Sequence, residues 1–290
     1  PGQPAYPLLP MGGRKYKLGS PAPDGFNVTF RPNAKDANLT ELFLVQPQGN
    51  VVAMREKPIV FEGIKADELL AKATAAVGTA DALKKVRTLQ LFYQSDYLEQ
   101  GVKGIGVYAY QLPDRFYNHE KWIAVKKQVA EVRAMYNGKD GSTEVSFAPG
   151  DPLTGSALAK LAADGAPIRS LDWQKRYKSA VVKGIEKVGD EEAYAVTMTT
   201  KQDVAHTDYY STKSFLLLKR VDSGGEAELF KDYRDVNGLK IAFTRSITGS
   251  SLGAGEMKLS RVLVNQSLSP ENFQLPRSKP SGKPMLEVWQ

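Results

Sequence analysis

Leu229-Phe230-Lys231-Asp232-Tyr233-Arg234-Asp235-Val236-Asn237-Gly238-Leu239-Lys240-Ile241-Ala242-Phe243-Thr244 holds two alternating runs on either side of a tight turn. Leu229, Lys231, Tyr233 and Asp235 alternate with Phe230, Asp232 and Arg234. A period of two places the two sets on opposite faces of a β-strand. Asn237 and Gly238 both tolerate positive φ, as a two-residue hairpin turn requires, and a second alternating run, Leu239–Thr248, follows. Beyond the glycine-rich turn Gly249–Gly255 comes a third run, Met257–Val264, so the hairpin extends into a meander of long strands.

Working outward, the same period recurs upstream. Ala180–Lys187, Ala193–Thr200, His206–Ser211 and Phe215–Val221 read as strands separated by short turns. Further back, Leu89, Leu91, Tyr93 and Tyr97 share a face in one run. Ile105, Val107 and Ala109 alternate with Tyr108 and Tyr110 in the next. Pro113-Asp114-Arg115-Phe116 starts a third run, and Lys126–Tyr136 is a fourth, closed by Asn137-Gly138-Lys139-Asp140-Gly141.

Helical spacing is clearest at Ala66–Val77. Leu69, Leu70, Ala73, Ala76 and Val77 fall on one face, Asp67 and Glu68 complement the helix dipole, and Gly78 is a stop signal. A short helical turn, Ala80–Lys85, follows. In the middle of the chain, Ser156–Ala163 is helical up to Gly165, and Leu171–Tyr177 is expected as a second helix. Near the N-terminus, Pro1–Gly25 is rich in Pro and Gly and should be irregular or extended. Phe26–Arg31, Leu39–Gln46 and Val51–Arg55 are three short strands there, and Lys57–Gly63 is a linker.

The composition excludes several classes. The 290 residues contain no cysteine, which removes disulfides, thiolate nucleophiles and Cys-ligated metals. No apolar run is long enough for a spanning helix. The net charge of +7 is spread through strands and turns and not gathered on one patch, so nucleic acid is not expected as a partner. The chain opens Pro1-Gly2-Gln3 without an initiator Met, a start that reads as a processed product.

The search for catalytic chemistry is negative. His119 and His206 are the two histidines; His119-Glu120 lacks the second His of a metalloprotease helix, and both are expected at surface or hairpin-edge positions. Gly104-Ile105-Gly106 and Ser250–Gly255 do not join a strand to a helix, so they read as turn or bulge glycines and not as phosphate loops. No Gly-x-Ser-x-Gly elbow occurs. Asp232 and Asp235 point to opposite faces, which favours salt-bridged surface with Arg234 over a catalytic carboxylate pair. No cofactor and no metal are expected, and no enzymatic activity.

Antiparallel strands in this number close into a barrel or curl strongly, because an open edge invites aggregation. A curled sheet has a concave face, and the apolar stripes of the helices must pack there. The expected class is therefore α+β, mainly antiparallel β, with a short β segment at the N-terminus.

Two resemblances sharpen this expectation. Tyr6-Pro7-Leu8, Tyr16-Lys17-Leu18, Phe26-Asn27-Val28-Thr29-Phe30, Leu42-Phe43-Leu44-Val45-Gln46-Pro47-Gln48-Gly49 and Ala53-Met54-Arg55 resemble the small β module at the C-terminal end of many bacterial serine-hydrolase and peptidase proteins. From about Lys65 to Pro276 the chain resembles the LolA/LolB/RseB-like family of bacterial envelope proteins. The likeness lies in Ala66–Gly78 leading into Ala82-Leu83-Lys84-Lys85-Val86, in Pro113-Asp114-Arg115-Phe116, and in Val182-Lys183-Gly184-Ile185-Glu186-Lys187-Val188-Gly189 with Ala193-Tyr194. It continues in Phe230-Lys231-Asp232-Tyr233-Arg234 with Val236-Asn237-Gly238, and in Asn265 with Phe273-Gln274-Leu275-Pro276.

That likeness implies an incomplete, half-open antiparallel barrel that cups helices, with a hydrophobic cavity between them for acyl chains. It also implies a periplasmic location and a lipid or the acyl chain of a lipoprotein as partner, with an envelope protein and peripheral membrane contact as further partners. The domains are then residues 1–60, 65–276 and a flexible tail at 277–290. The candidate cavity lining is Leu89, Leu91, Tyr93, Val107, Phe116, Phe215, Leu217, Phe230 and Phe243. The competing reading is a non-catalytic accessory domain of an envelope peptidase, or a structural subunit of a larger envelope complex, in which side chains fill the cup.

Overall fold

The computed structural model describes residues 7–20, 22–33, 40–54, 61–147, 150, 152–250 and 253–274. The tail at 277–290 and most of the linker at 57–63 lie outside the described residues. The chain divides into two compact units, Pro1–Val60 and Phe61–Gln290.

The smaller unit is a five-stranded antiparallel meander: β1 (Leu8–Gly12), β2 (Lys15–Leu18), β3 (Asn27–Pro32), β4 (Thr40–Val45) and β5 (Val51–Met54). The opening, expected to be irregular or extended, is extended as a hairpin, because Gly12 and Gly13 take positive φ at the turn and let Leu8 pair with Leu18. Five short strands bury little. Val28 is buried, Tyr16 and Phe30 meet edge to face at 5.7 Å, and buried Glu41 accepts from Arg31 at 2.7 Å and from Asn33 at 2.8 Å.

The larger unit begins with α1 (Ala66–Val77) and α2 (Ala80–Lys85). Leu69, Leu70 and Ala73 are the buried stripe of α1, as the spacing predicts. Gly78 ends α1 in an extended conformation, not a left-handed one. A Cβ there would lie 2.9 Å from the Gly238 carbonyl oxygen, so the residue is small because the helix end abuts a hairpin turn.

Five strands follow: β6 (Thr88–Tyr97), β7 (Val102–Gln111), β8 (Arg115–Ala124), β9 (Lys127–Tyr136) and β10 (Gly141–Val145). The short β10 escapes sequence reading, since five residues are too few to establish a period. Helix α3 (Gly155–Asp164) comes next, and then seven strands. These are β11 (Tyr177–Val188), β12 (Glu191–Thr200), β13 (Ala205–Ser211), β14 (Leu217–Asp222), β15 (Ala227–Val236), β16 (Leu239–Ser250) and β17 (Gly253–Val264).

Two local expectations are corrected. Leu171–Tyr177 is not a helix. Asp172 adopts a left-handed conformation with φ of 49°, only Trp173–Lys175 forms a 3₁₀ turn, and Tyr177 is buried as the first residue of β11. Phe215 is not in a strand either. Ser211 Oγ accepts from the Lys213 and Ser214 amides at 3.2 and 3.0 Å, and Phe215 completes that turn at φ of 58° before β14 starts.

All twelve strands form one antiparallel sheet in the order β10-β9-β8-β7-β6-β17-β16-β15-β14-β13-β12-β11. The β15–β16 hairpin turns on Asn237 (φ 53°) and Gly238 (φ 80°), with Val236 paired to Leu239. The first and last strands of the series, β6 and β17, pair with each other and join the two meanders. Strands β10 and β11 are the two edges, so the sheet is curved but not closed, and the connection between those edges carries α3.

The helices fill the concave side. Leu69, Leu70 and Ala73 pack with Tyr177, Val182, Val196, Met198 and Tyr210, while Leu161 of α3 packs with Leu89, Leu91, Tyr93, Tyr110 and Phe116. Each such aliphatic side chain, fully buried, contributes about 1.5–3 kcal/mol. A separate cluster, Ala109, Tyr117 and Met135 with Phe273, gathers residues of the outward phase of β7–β9.

Candidate functional site

The expected lining residues divide into groups. Leu89, Leu91, Tyr93 and Phe116 belong to one buried cluster, with Phe243 packed against it. Leu89, Leu91, Phe215, Leu217 and Phe230 border a single cavity of about 90 Å³, closed by Ala73 and Val77 of α1 and by Pro167 and Ile168. Val107 is not among them. It pairs with Phe92 and His119 across neighbouring strands, in the opposite phase to Leu91 and Tyr93. The tyrosines of β7, Tyr108 and Tyr110, face inward in its place.

Those inward positions form an aromatic wall. Tyr93 and Tyr108 stack at 4.9 Å, Tyr108 and Phe116 at 5.9 Å, and Tyr110 and Phe116 lie 5.4 Å apart. The Tyr93 hydroxyl accepts from Asn118 Nδ2 at 2.8 Å. Gly104 and Gly106 are mid-strand residues here and not turn or bulge glycines. A Cβ on Gly106 would lie 2.2 Å from the Tyr93 ring, and one on Gly104 would meet Glu120 and Ser95. Glycine in these two places makes room for inward side chains of the adjacent strands.

A polar set that the sequence reading missed lies among these apolar residues. Arg245 projects between Tyr108 (5.5 Å) and Phe230 (5.4 Å) and borders the cavity. Arg169 reaches Glu228 at 3.4 Å and Asp164 at 3.9 Å. Arg220 pairs with Asp164 at 2.9 Å and contacts His206 Nδ1 at 3.3 Å; His206 Nε2 lies 3.5 Å from Asp208, which accepts from the Tyr210 hydroxyl at 3.2 Å. Both histidines are buried, against the surface positions expected: His206 in this set and His119 beside Glu131 at 3.3 Å.

The phase of the strands held the missing signal. Asp208 alternates in step with Tyr210, Glu228 with Phe230, and Arg245 with Phe243, so each charge shares a strand face with an aromatic residue.

Burial and charge set the protonation states. Burial pulls the Arg169 guanidinium down, but Glu228, Asp208 and Asp164 more than reverse this and hold it above its usual range. Burial acts on Arg245 in the same sense, and Tyr110, Glu228 and Tyr108 outweigh it. Burial pushes the Asp164 carboxyl up, against the pull of Arg169 and Lys160. Both arginines therefore stay charged inside the cup.

Outside the cavity lies a groove of about 550 Å³ between α1, α2 and residues 170–174, bordered by Leu70, Thr74, Leu83, Leu171 and Trp173. Ser170 borders both groove and cavity. Its Oγ is 2.8 Å from Thr74 Oγ1, and this contact stands between the two spaces.

No known family matches the chain in a family-level scan, and no curated protein matches it. Solved structures do. The chain's structural neighbours include a LolA superfamily protein. That protein, from Nitrosomonas europaea, is 12% identical with a TM-score of 0.49, over 73% of this chain and 99% of its own. A DUF1329 family protein from Desulfovibrio piger gives 12% and 0.49, over 76% and 98%. The Mycobacterium tuberculosis lipoprotein LppX gives 13% and 0.24, over 69% and 97%.

The chemistry of the cup follows from its side chains. Among the described residues, no group of three or more His, Cys, Asp or Glu converges as metal ligands would. Asp232 and Arg234 form the expected exposed pair at 2.6 Å and do not border the cavity, although they alternate in step with Phe230, which does; Asp232 takes a left-handed φ of 55°. The concave face offers apolar wall, tyrosine hydroxyls and guanidinium donors.

Glu120 gives a test of the interior's polarity. It is buried, and Ser95 Oγ donates to it; burial pushes its carboxyl up despite that hydrogen bond. A folded-state pKa above the unfolded value near 4.3 means that stability falls as pH rises through the interval between the two. Glu120→Gln removes that ionisation. Its melting temperature should match the wild type near pH 4 and exceed it at pH 8 in calorimetry; an offset that does not change with pH contradicts this account of Glu120.

Proposed function

We propose that this chain is a binding protein that holds one apolar chain, the acyl chain of a lipid or of a lipoprotein, between the concave face of its sheet and α1. The observation that carries the reading is the shared cavity: Leu89, Leu91, Phe215, Leu217 and Phe230 converge on one space whose opposite wall is a helix that belongs to no strand pairing. In its present form the cavity is smaller than the roughly 300–1,000 Å³ of ligand pockets. An acyl chain therefore enters by separation of α1 from residues 165–172, and the outer groove marks the side from which it comes.

The energetics allow this. Each buried methylene contributes about 0.8 kcal/mol, so about ten of them give roughly 8 kcal/mol. Displacing the lid and ordering the ligand oppose that gain. Binding without chemical transformation, a place in the bacterial envelope and contact with anionic membrane surfaces belong to the same proposal, the last favoured by the net charge of +7. The small size of the cavity favours the second reading, in which side chains fill the cup and the unit serves a larger assembly.

Titration with the neutral apolar fluorophore N-phenyl-1-naphthylamine separates the two. The carrier reading expects saturable enhancement at one site per chain, displaced by hexadecanol. Absence of saturable uptake overturns it in favour of the filled cup.

A further inference from the structure

Resting on the acyl-chain reading, we infer that Arg245 is the recognition site for an anionic head group, and that the ligand class is a single-chain amphiphile with its charged end inside the cup. Among the described residues no carboxylate lies within 4.0 Å of Arg245, whereas Arg169 and Arg220 are both paired. Its Nε is buried without a hydrogen-bond partner. Its guanidinium lies over the rings of Tyr108 and Phe230, contacts that hold a cation, and its polar neighbour is the Tyr110 hydroxyl, which leaves the Nε–H donor without a partner.

A buried charge is normally paired, because desolvation penalises it and a counter-charge offsets the penalty. Here the open space beside the guanidinium is the cavity itself, whose wall is apolar at Leu89, Leu91 and Phe230 and also carries Lys240, Arg169 and one carboxylate, Asp164, which Arg220 and Arg169 already pair. A guanidinium beside the apolar part of this wall suits a head that accepts parallel hydrogen bonds from it, as a carboxylate or phosphate does. Arg169 borders the same cavity with its Nη1 making no hydrogen bond, 3.9 Å from Asp164, and Glu228 already balances its charge. It is the secondary contact.

The test compares three probes that share a sixteen-carbon chain, namely palmitate, 1-palmitoyl lysophosphatidate and hexadecanol, each displacing the neutral fluorophore from wild type and from Arg245→Met. Wild type should bind at least one anionic probe about tenfold or more tightly than hexadecanol. Arg245→Met, which replaces an unpaired buried charge with an apolar side chain and so should fold, is expected to lose that preference while keeping hexadecanol. A preference for palmitate assigns the head to a carboxylate, and one for lysophosphatidate assigns it to a phosphate. Equal binding of all three by wild type overturns the inference and leaves the acyl reading intact. Failure of every probe, the fluorophore included, overturns both. Preference retained in Arg245→Met places the anion elsewhere and overturns the assignment to this residue.

Discussion

Leu69→Ala should lower the unfolding free energy of the larger unit by about 2–5 kcal/mol, the range for deleting a fully buried leucine. Leu69 is 0% exposed and lies in the cluster that joins α1 to Tyr177, Val196, Met198 and Tyr210. Four of its packing partners are sheet residues fixed by hydrogen bonding to their neighbours, so the site cannot collapse to fill the void. Guanidinium denaturation followed by Trp173, which packs against the same cluster, reads the loss directly. Leu98→Ala, at a residue 74% exposed, is the control and should change stability by less than about 0.5 kcal/mol. A loss under about 1 kcal/mol for Leu69→Ala would mean that α1 is only loosely docked.

The second large effect concerns entry. Thr74 Oγ1 and Ser170 Oγ are 2.8 Å apart, and Ser170 borders both groove and cavity. Side chains that close bring a disulfide within reach, and the natural chain has no cysteine to compete. The Thr74→Cys/Ser170→Cys variant, once oxidised, should take up the apolar fluorophore at least tenfold less well than wild type, and a reductant should restore uptake. The reversal matters because it separates a locked lid from a damaged fold. Unchanged uptake in the oxidised form would show that the ligand does not pass between α1 and Ser170.

Where two signals agree, the fold can be read from the chain. Helix α1 has both its apolar spacing and its acidic first turn, and the β15–β16 hairpin has both alternation and Asn237-Gly238. Where one signal stands alone the reading slips. Leu171, Trp173 and Tyr177 are spaced for a helix, yet the left-handed Asp172 breaks it; Asp tolerates that conformation, but a single Asp is equally common in a helix's first turn and does not mark the break. Pairing of β6 with β17 joins residues more than 150 positions apart, which local periodicity cannot reveal.

The site shows the same division. Leu89, Leu91, Phe215, Leu217 and Phe230 meet at one cavity, while Val107 lies in the other phase of β7. In that strand Ile105, Val107 and Ala109 alternate with Tyr108 and Tyr110, so both phases are apolar and hydrophobicity alone cannot choose the inner one. Arg169, Arg220 and Arg245 were hidden for the opposite reason. A charged residue on a strand, as Arg220 and Arg245 are, reads as solvent-facing unless its phase against neighbouring aromatics is followed; Arg169 lies in a turn, where no period applies, and pairing partners such as Asp164 and Glu228 come from distant parts of the chain.

Whether the cup admits one acyl chain is read by native mass spectrometry of the protein incubated with palmitate, lysophosphatidate and hexadecanol. The wild type and the reduced Thr74→Cys/Ser170→Cys variant should each retain a single ligand per chain, and the oxidised variant none. Masses without ligand for all three probes, or adducts that keep increasing with concentration and ignore the lock, would contradict binding of one acyl chain in the cup.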